Sequence, residues 1–208
     1  MNKLKNPLLI IANGDFPKHE TAIKQIKKCK SIIACDGGAN KLIENGYTPD
    51  IIIGDLDSIS ETNKTKFSDT IIEIKDQSEN DLRKAINYAI KHKIDNIRII
   101  GASGNREDHI IGNIFSLLNY KELNITLFTD TGFFRIIKGK QKVESFRGQK
   151  ISIFSLDRSI KITSKHLMYD FNDNNLSDLF SGTLNESVDD FFKIKLSHGV
   201  IIIFQSYK

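Results

Sequence analysis

Residues 50–59 read DIIIGDLDSI: three isoleucines run into a glycine, and two aspartates follow with one residue between them. A short run that is apolar at every position is typical of a strand buried on both faces, as in a parallel sheet. The two carboxylates come where such a strand emerges into solvent. The stretch therefore predicts a parallel sheet with an acidic site at the carboxyl ends of its strands.

Similar runs on either side of this stretch predict the rest of the sheet. With Asp50–Ile53, the predicted strands are Leu8–Ala12, Ile32–Cys35, Thr70–Ile74, Ile97–Ile100 and Ile125–Thr129. Helical patterns lie between them, at Glu20–Lys28, Asn40–Asn45, Ile59–Phe67, Asp81–Lys91 and Asp108–Asn119. Alternating strands and helices predict a Rossmann-like α/β domain of three layers.

Capping residues support three of the helix ends. Gly46 follows the second helix as a C-terminal cap would. Ser58 and Glu61 fit a capping box at the start of the third helix. Asn80 is a suitable N-cap for the fourth helix.

The helical pattern ends near Asp130, and short alternating or apolar runs follow it. Lys138–Lys140 and His198–Gly199 have the composition of turns between strands. The last run, Gly199–Gln205, is too apolar for an exposed edge and needs cover from an opposite sheet or another subunit. We therefore predict an α/β domain over residues 1–130 and a small all-β sandwich domain over 131–208.

Composition excludes several classes of protein. The 208 residues are 39% hydrophobic and 27% charged, which is ordinary for a globular protein. The net charge of +4 comes from scattered lysines, typical of a solvated surface, so no nucleic-acid partner is expected. Cys29 and Cys35 match no metal or redox spacing, and no run reaches the length of a membrane span. We expect a cytoplasmic protein with no membrane partner.

The aspartates of the opening stretch predict a metal site. Residues two apart in an extended chain face the same way, so Asp55 and Asp57 can aim both carboxylates at one point. Close carboxylates resist joint ionisation unless a cation is present, and Mg²⁺ prefers such oxygen ligands. The alternative is that Asp57 and Ser58 only begin a helix.

Two further loops at the same edge predict phosphate binding. DGGAN at 36–40 places two glycines between a strand and a helix, where the backbone can approach a ligand closely. GASGNREDH at 101–109 contains Arg106, which can pair with phosphate oxygens, and Asp108, which can hold a metal or act as a base. Neither a Gly-x-Gly-x-x-Gly fingerprint nor a Walker A sequence occurs.

Four of these loops together resemble thiamine pyrophosphokinases. They are DGGAN (36–40), GDLDS (54–58), DQSEND (76–81) and GASGNREDHIIGNIFSLL (101–118), in this order and spacing. The resemblance implies Mg²⁺-dependent transfer of a pyrophosphoryl group from ATP to the hydroxyl of thiamine, giving thiamine diphosphate and AMP. It also implies a homodimer that holds thiamine between the α/β domain of one subunit and the β domain of the other.

The resemblance also assigns roles to individual residues. It places catalysis and Mg²⁺ binding at Asp55, Asp57, Asp81 and Asp108. ATP is expected at Asn13, Gly14, Asp36, Gly37, Gly38, Asn40, Ser103, Gly104 and Arg106. Thiamine is expected at Gln77, Asn80, Tyr169, Leu184 and Asn185. Whether Asp81 or Asp108 orients the proton of the acceptor hydroxyl is left open.

The β part carries weaker resemblances and three departures. GQKISIF (148–154), TSKHLMYDF (163–171) and GTLNES (182–187) are similar to segments of the family's second domain. Asn80 stands where the family usually has threonine, His166 where it has glycine, and Leu184 where it has serine. The departure at Leu184 bears directly on the choice of acceptor.

Other classes of function remain as alternatives. One is a Mg²⁺-dependent phosphotransferase, phosphohydrolase or sugar transferase that uses a different acceptor. Against a hydrolase, the aspartate pair follows the third strand instead of the first, and Gly54 intervenes. Another is a nucleotide-binding regulator without catalysis, which the intact acidic set disfavours.

Overall fold

A computed structural model describes residues 3–104 and 106–208, and they divide into two compact units. The first contains the described residues up to Ser116 together with Glu122–Asp130. The second contains Leu117–Lys121 and Thr131–Lys208. Asn105, within the loop predicted to bind phosphate, lies outside the described residues.

The first unit is built on a parallel sheet, as the fold class predicts. Its strands are β1 (Leu8–Ile11), β2 (Ser31–Cys35), β3 (Ile51–Gly54), β4 (Ile71–Glu73), β5 (Asn96–Ile100) and β6 (Asn124–Phe128). They lie in the order β4-β3-β2-β1-β5-β6, and every neighbouring pair is parallel. The chain returns from the β4 edge to place β5 beside β1. The β1–β5 boundary is therefore the topological switch point, where sheets of this kind bind ligands.

Five α-helices connect the strands of this unit. They are α1 (Glu20–Lys28), α2 (Gly38–Glu44), α3 (Glu61–Lys66), α4 (Asp81–Lys91) and α5 (Glu107–Ser116), with short 3₁₀ helices at Ser68–Thr70 and Leu117–Tyr120. Leu9 and Ile11 share one core cluster with α1 and α2. The alternate residues Leu8 and Ile10 are also fully buried. Burial on both faces explains why these strands are apolar at every position. None of the described helices is both long and apolar enough to cross a membrane.

Two of the three predicted helix ends are confirmed. The Asn80 side chain accepts the backbone N–H of Arg83 at 3.0 Å and caps α4. Gly46 lies just beyond α2 with φ +81°, and its N–H donates to the carbonyl of Ile43. Glycine adopts this left-handed conformation without the steric penalty that a Cβ would bring.

The predicted cap at Ser58 is wrong. Helix α3 begins at Glu61, and the Oγ of Ser60 accepts the N–H of Asn63 at 3.3 Å. The Ser58 hydroxyl instead donates to Asp57. The backbone N–H of Ser58 is held by the side chain of Asp36, so the chain at this point belongs to a loop and not to the helix.

We expect Ser60→Ala to lower the free energy of unfolding by about 1 kcal/mol, because the mutation leaves an N-terminal N–H of α3 without its cap. Urea unfolding measures the change. Ser58→Ala is the matched control, since its hydroxyl caps no helix. A larger loss in the Ser58 variant than in the Ser60 variant would show that the helix begins as the sequence pattern indicates.

The second unit is antiparallel throughout. Its strands are β7 (Gly132–Glu144), β8 (Lys150–Phe154), β9 (Ile162–Lys165), β10 (Asn172–Asn174), β11 (Asn185–Glu186) and β12 (Phe191–Ser206). β12 pairs with β7 along most of its length. On its other edge, β12 pairs with β9 through its first half and with β8 through its second half. The strands of this unit share one apolar core that includes Val143, Ile153 and Phe192.

One feature of this unit differs from the sequence-based predictions, and a second decides between two alternatives that the sequence left open. Gly139 and Gly199 lie inside β7 and β12 and not in turns, with φ +61° and +65°. The pairing of the two strands shifts register between Lys195 and Val200, which is the pattern of a bulge. The apolar run Gly199–Gln205 is a central strand whose Ile201 and Ile203 belong to the core of its own unit. Its hydrophobicity is therefore no evidence for a second subunit.

Candidate active site

A cavity of about 320 Å³ opens at the carboxyl edge of the parallel sheet in the first unit. It is lined by residues that follow β1, β3, β4 and β5, so it spans the switch point. The predicted residues that line it are Asn13, Gly14, Asp55, Gln77, Asn80, Asp81, Gly104 and Arg106. Eight predicted residues from four separate loops, including candidates for the metal, the phosphates and the acceptor, thus line one cavity.

Three carboxylates gather beside this cavity. Oxygen atoms of Asp36, Asp55 and Asp57 lie within 4.8 Å of one another. Leu56, between the two aspartates of the opening stretch, has φ +67° and a side chain that is nearly buried. The carboxylates therefore converge through a left-handed turn at Leu56 and not along an extended chain, which corrects the geometry expected from the spacing.

Asp36 holds the loop that carries the other two carboxylates. It is 1% exposed, and its two oxygens accept the backbone N–H groups of Ser58 at 3.0 Å and Ile59 at 2.9 Å. Burial raises the pKa of Asp36 to about 6, and the neighbouring Asp57 and Asp81 act in the same direction. Close carboxylates of this kind repel one another, and a bound cation would offset that repulsion.

Asp55 connects the carboxylates to the loop after β4. Gln77 donates from Nε2 to Oδ2 of Asp55 at 2.8 Å, and this bond is the main cause that lowers the pKa of Asp55. The bond places a residue predicted for the acceptor next to one predicted for the metal.

Asp81 lies outside the three-carboxylate group and pairs with a lysine that sequence reasoning missed. Nζ of Lys84 lies 3.0 Å from Oδ1 of Asp81. Burial raises the pKa of Asp81, and the hydrogen bond from Lys84 opposes the shift. The position of Lys84 near the start of α4 is the available signal, since a cation there opposes the helix dipole unless it has a partner.

The structure does not bring Asp108 to the carboxylates. Arg106 holds both of its oxygens, with Nε to Oδ1 at 3.1 Å and Nη2 to Oδ2 at 2.6 Å. Both side chains are more than 60% exposed. The hydrogen bond from Arg106 is the largest cause that lowers the pKa of Asp108.

Several residues predicted for ATP hold the loops together. Nδ2 of Asn40 donates to the carbonyl of Ser58, and its Oδ1 accepts the N–H of Ser60. Lys41 reaches back with Nζ to the carbonyl oxygens of Asn13 and Gly14.

The predicted glycines lie where backbones approach. A Cβ on Gly37 would lie 2.6 Å from the side chain of Asn13, and one on Gly38 would lie 2.7 Å from the carbonyl of Ala12. The carbonyl of Ser103 accepts the N–H of Asp15 at 2.7 Å. The packing of the backbone therefore requires glycine at position 38, whatever the ligand, whereas the obstacle at Gly37 is the end of a side chain.

Buried groups that the sequence did not single out also line the cavity. Asn113 is 8% exposed; its Oδ1 accepts from Asn80, and its Nδ2 donates to the carbonyl of Ala102. Cys35 is 1% exposed, and burial raises the pKa of its thiol well above the ordinary value. A thiol that stays protonated is not a nucleophile.

The residues predicted for thiamine in the second unit lie around one buried amide. Asn185 accepts the N–H of Tyr169 at 3.1 Å and donates to its carbonyl at 2.8 Å. Leu184 is 89% exposed and has φ +61°. His166 has φ +72°, which explains why glycine is the residue expected at this position.

Comparisons with known proteins agree over nearly the whole chain. Residues 22–129 match the family described as "Thiamin pyrophosphokinase, catalytic domain", and residues 132–204 match "Thiamin pyrophosphokinase, substrate-binding domain". Thiamine pyrophosphokinase 1 of Arabidopsis thaliana is 27% identical over 211 residues, which cover 86% of this chain and 77% of that protein. Thiamine pyrophosphokinase 2 of the same plant is 31% identical over 148 residues, and they cover 59% of this chain and 54% of that protein.

A solved structure shows the same fold. The crystal structure of thiamine pyrophosphokinase from Bacillus subtilis superposes with a TM-score of 0.81 over 97% of this chain and 99% of its own, at 22% identity. The likeness covers both the parallel and the antiparallel strands.

Proposed function

The chain belongs to the thiamin pyrophosphokinase family, a family of ATP-dependent diphosphotransferases, and we propose that the cavity at its sheet edge transfers a pyrophosphoryl group from ATP to the hydroxyl of thiamine. The products are thiamine diphosphate and AMP. The observation that carries this proposal is the convergence of Asp36, Asp55 and Asp57 beside a cavity at the switch point. Such a site suits a cation that accompanies a triphosphate.

The carboxylates fit Mg²⁺ in number and in chemistry. Asp55 and Asp57 have exposed or half-buried oxygens, and Asp36 supplies a third within 4.8 Å. Mg²⁺ bound there would offset the negative charge of the phosphates. Of the four predicted ligands, Asp55 and Asp57 keep that role in the proposal. Asp108 faces Arg106 instead, and Asp81 is better placed to orient the acceptor.

The rest of catalysis is positioning of ATP and the acceptor. Arg106 lines the cavity with an exposed guanidinium that can pair with phosphate oxygens. Phosphoryl transfer needs the attacking and leaving oxygens in line, and little covalent chemistry from the protein. We assign ATP to the loops after β1, β2 and β5, as the resemblance implies.

We further propose a homodimer in which the second unit contributes to thiamine binding. Exposed apolar and aromatic side chains support this part, with Phe180 73%, Leu184 89% and Tyr169 65% exposed. Exposed apolar side chains at neighbouring positions are typical of interaction surfaces. The cytoplasmic location, suggested by two free cysteines, is likewise a proposal.

An AMP-release assay with ATP, Mg²⁺ and thiamine tests the proposed function. We expect AMP and thiamine diphosphate in equal amounts, and no AMP when thiamine or Mg²⁺ is left out. AMP release with another alcohol but not with thiamine would support a different acceptor. Thermal stabilisation by an ATP analogue without turnover of any acceptor would support the alternative of a nucleotide-binding regulator without catalysis.

The acceptor assignment gives a prediction at Leu184. We expect Leu184→Ser to lower the apparent KM for thiamine by up to roughly tenfold, because a neutral hydrogen bond contributes about 0.5–1.5 kcal/mol. The KM for ATP should stay nearly unchanged. Steady-state kinetics with each substrate varied in turn measures both constants.

Leu184→Gly is the matched control, since it also removes the apolar side chain and suits the φ of +61° without supplying a hydroxyl. An equal fall of the thiamine KM in both variants would show that the change comes from the backbone or from loss of the leucine side chain, and not from the new hydroxyl. A rise in both would show that the leucine side chain itself contributes to binding.

A further inference from the structure

Building on the proposed function, we propose that Lys84 is a positioning residue: its buried ammonium fixes one oxygen of Asp81, so that the other oxygen is left to orient the acceptor hydroxyl. The inference rests on the burial of Lys84, on its ion pair with Asp81, and on the position of Asp81 in the cavity wall.

Lys84 is buried although it lies on a helix at the surface of the protein. It lies on α4, a surface helix whose Ile90 and Lys91 are exposed, yet it is only 5% exposed itself. It lines both the candidate site and a second cavity of about 380 Å³, bordered by Ile74 and Tyr88. Lysine is almost never fully buried unless it is paired. Within the described part of the chain, it forms an ion pair with Asp81, with Nζ 3.0 Å from Oδ1.

The pair leaves Asp81 with one free oxygen. Oδ1 accepts from Lys84, whereas no hydrogen bond to Oδ2 occurs among the described residues. The side chain is 24% exposed and lines the cavity, so this oxygen is accessible to a ligand. A Cβ on Gly54 would lie 3.3 Å from Oδ2, so the glycine keeps the space beside this oxygen open.

The charges around Asp81 give the lysine a second effect. Asp55 and Asp57 both act on Asp81 as like charges. A fixed cation 3.0 Å from Asp81 offsets this repulsion and holds the carboxylate in place. The other candidate for this role, Asp108, has both oxygens engaged by Arg106. Asp81 is therefore the carboxylate whose free oxygen can accept the hydrogen bond of the acceptor hydroxyl.

Substitution of the lysine tests the proposal. We expect Lys84→Met to lower kcat about 10²-fold, because a small misplacement of a catalytic group costs that much in rate. The KM for ATP should change less than about threefold, since Lys84 is not assigned to ATP. Lys84→Arg keeps the charge and should recover part of the loss. Lys91→Met, at the exposed end of the same helix, is the control and should match wild type.

A double-mutant cycle separates positioning from direct action on the substrate. If Lys84 acts through Asp81, the double variant Lys84→Met with Asp81→Asn should have the kcat of Asp81→Asn alone. Losses that multiply would overturn the proposal in favour of a direct contact between Lys84 and the phosphates. Wild-type kcat in Lys84→Met would overturn any role. The double variant leaves no unpaired charge, so it keeps the test valid if Lys84→Met does not fold.

The same experiment distinguishes this inference from the proposed function. Wild-type AMP release with a different alcohol but not with thiamine would end the thiamine assignment, and the cycle would then be measured on that alcohol. Absence of AMP release from wild type with every acceptor would overturn both.

Discussion

Asp55→Asn and Asp57→Asn are each expected to lower kcat by about 10²–10³-fold, the loss typical of removing one preorganised charge-stabilising group. Both carboxylates belong to the group that we assign to Mg²⁺. Both variants should stay folded. Without Mg²⁺, the melting temperature of Asp57→Asn should equal or exceed that of wild type, because the substitution relieves repulsion between like charges. That of Asp55→Asn should be equal or slightly lower, because the hydrogen bond from Gln77 favours the ionised carboxylate.

Turnover at limiting and at saturating Mg²⁺ measures the effect. Excess Mg²⁺ should recover part of the loss if the variants bind the cation weakly. Asp69→Asn is the matched control, an exposed aspartate in a 3₁₀ helix away from the cavity. Near wild-type activity of both site variants at limiting Mg²⁺ would refute the metal assignment.

The parallel half of the fold is largely readable from the sequence, because its signals are local. The bounds of α1 and α4 are those that the pattern predicts. Strand β3 lies within one residue of its prediction. Burial on both faces makes β1 and β3 continuously apolar, and polar residues follow soon after, so the sequence shows where these strands end.

The antiparallel half is less readable, because partner strands decide its geometry. Gly139 and Gly199 have the same local sequence character in a bulge as in a turn. The pairing across β7 and β12 keeps both as parts of single long strands. The prediction that Ser58 caps α3 was wrong for a similar reason. The Ser58 N–H donates a hydrogen bond to Asp36, a residue 22 positions earlier in the chain.

Part of the candidate site could likewise be predicted from the sequence and part could not. The loops that line the cavity could be predicted, since parallel strands end at one edge of the sheet. The pair of Lys84 and Asp81 could not, because spacing on a helix is equally compatible with an exposed lysine. Nor could the left-handed turn at Leu56, which depends on a pocket in the core for its side chain.

Gly14→Ala is expected to lower the free energy of unfolding by about 1–3 kcal/mol, the range for overpacking a filled space. A Cβ on Gly14 would lie 2.2 Å from the carbonyl oxygen of Ser103 and 2.4 Å from that of Gly101. Both obstacles are backbone atoms, which cannot rotate away as a side chain can. The Gly14 N–H also donates to the Gly101 carbonyl at 2.6 Å, so relief of the clash would break this bond.

The same displacement should weaken ATP binding, because these loops follow β1 and β5 at the switch point and line the cavity. Urea unfolding and the KM for ATP measure the two effects. Gly112→Ala is the matched control, because a Cβ there meets nothing within 4 Å. Since the position is α-helical, this substitution should raise the free energy of unfolding by up to about 1 kcal/mol. An unchanged unfolding midpoint in Gly14→Ala would mean that the two loops do not approach as closely as described. A lower unfolding midpoint with an unchanged KM for ATP would support the close packing of the two loops. It would also indicate that ATP binds elsewhere on the sheet edge.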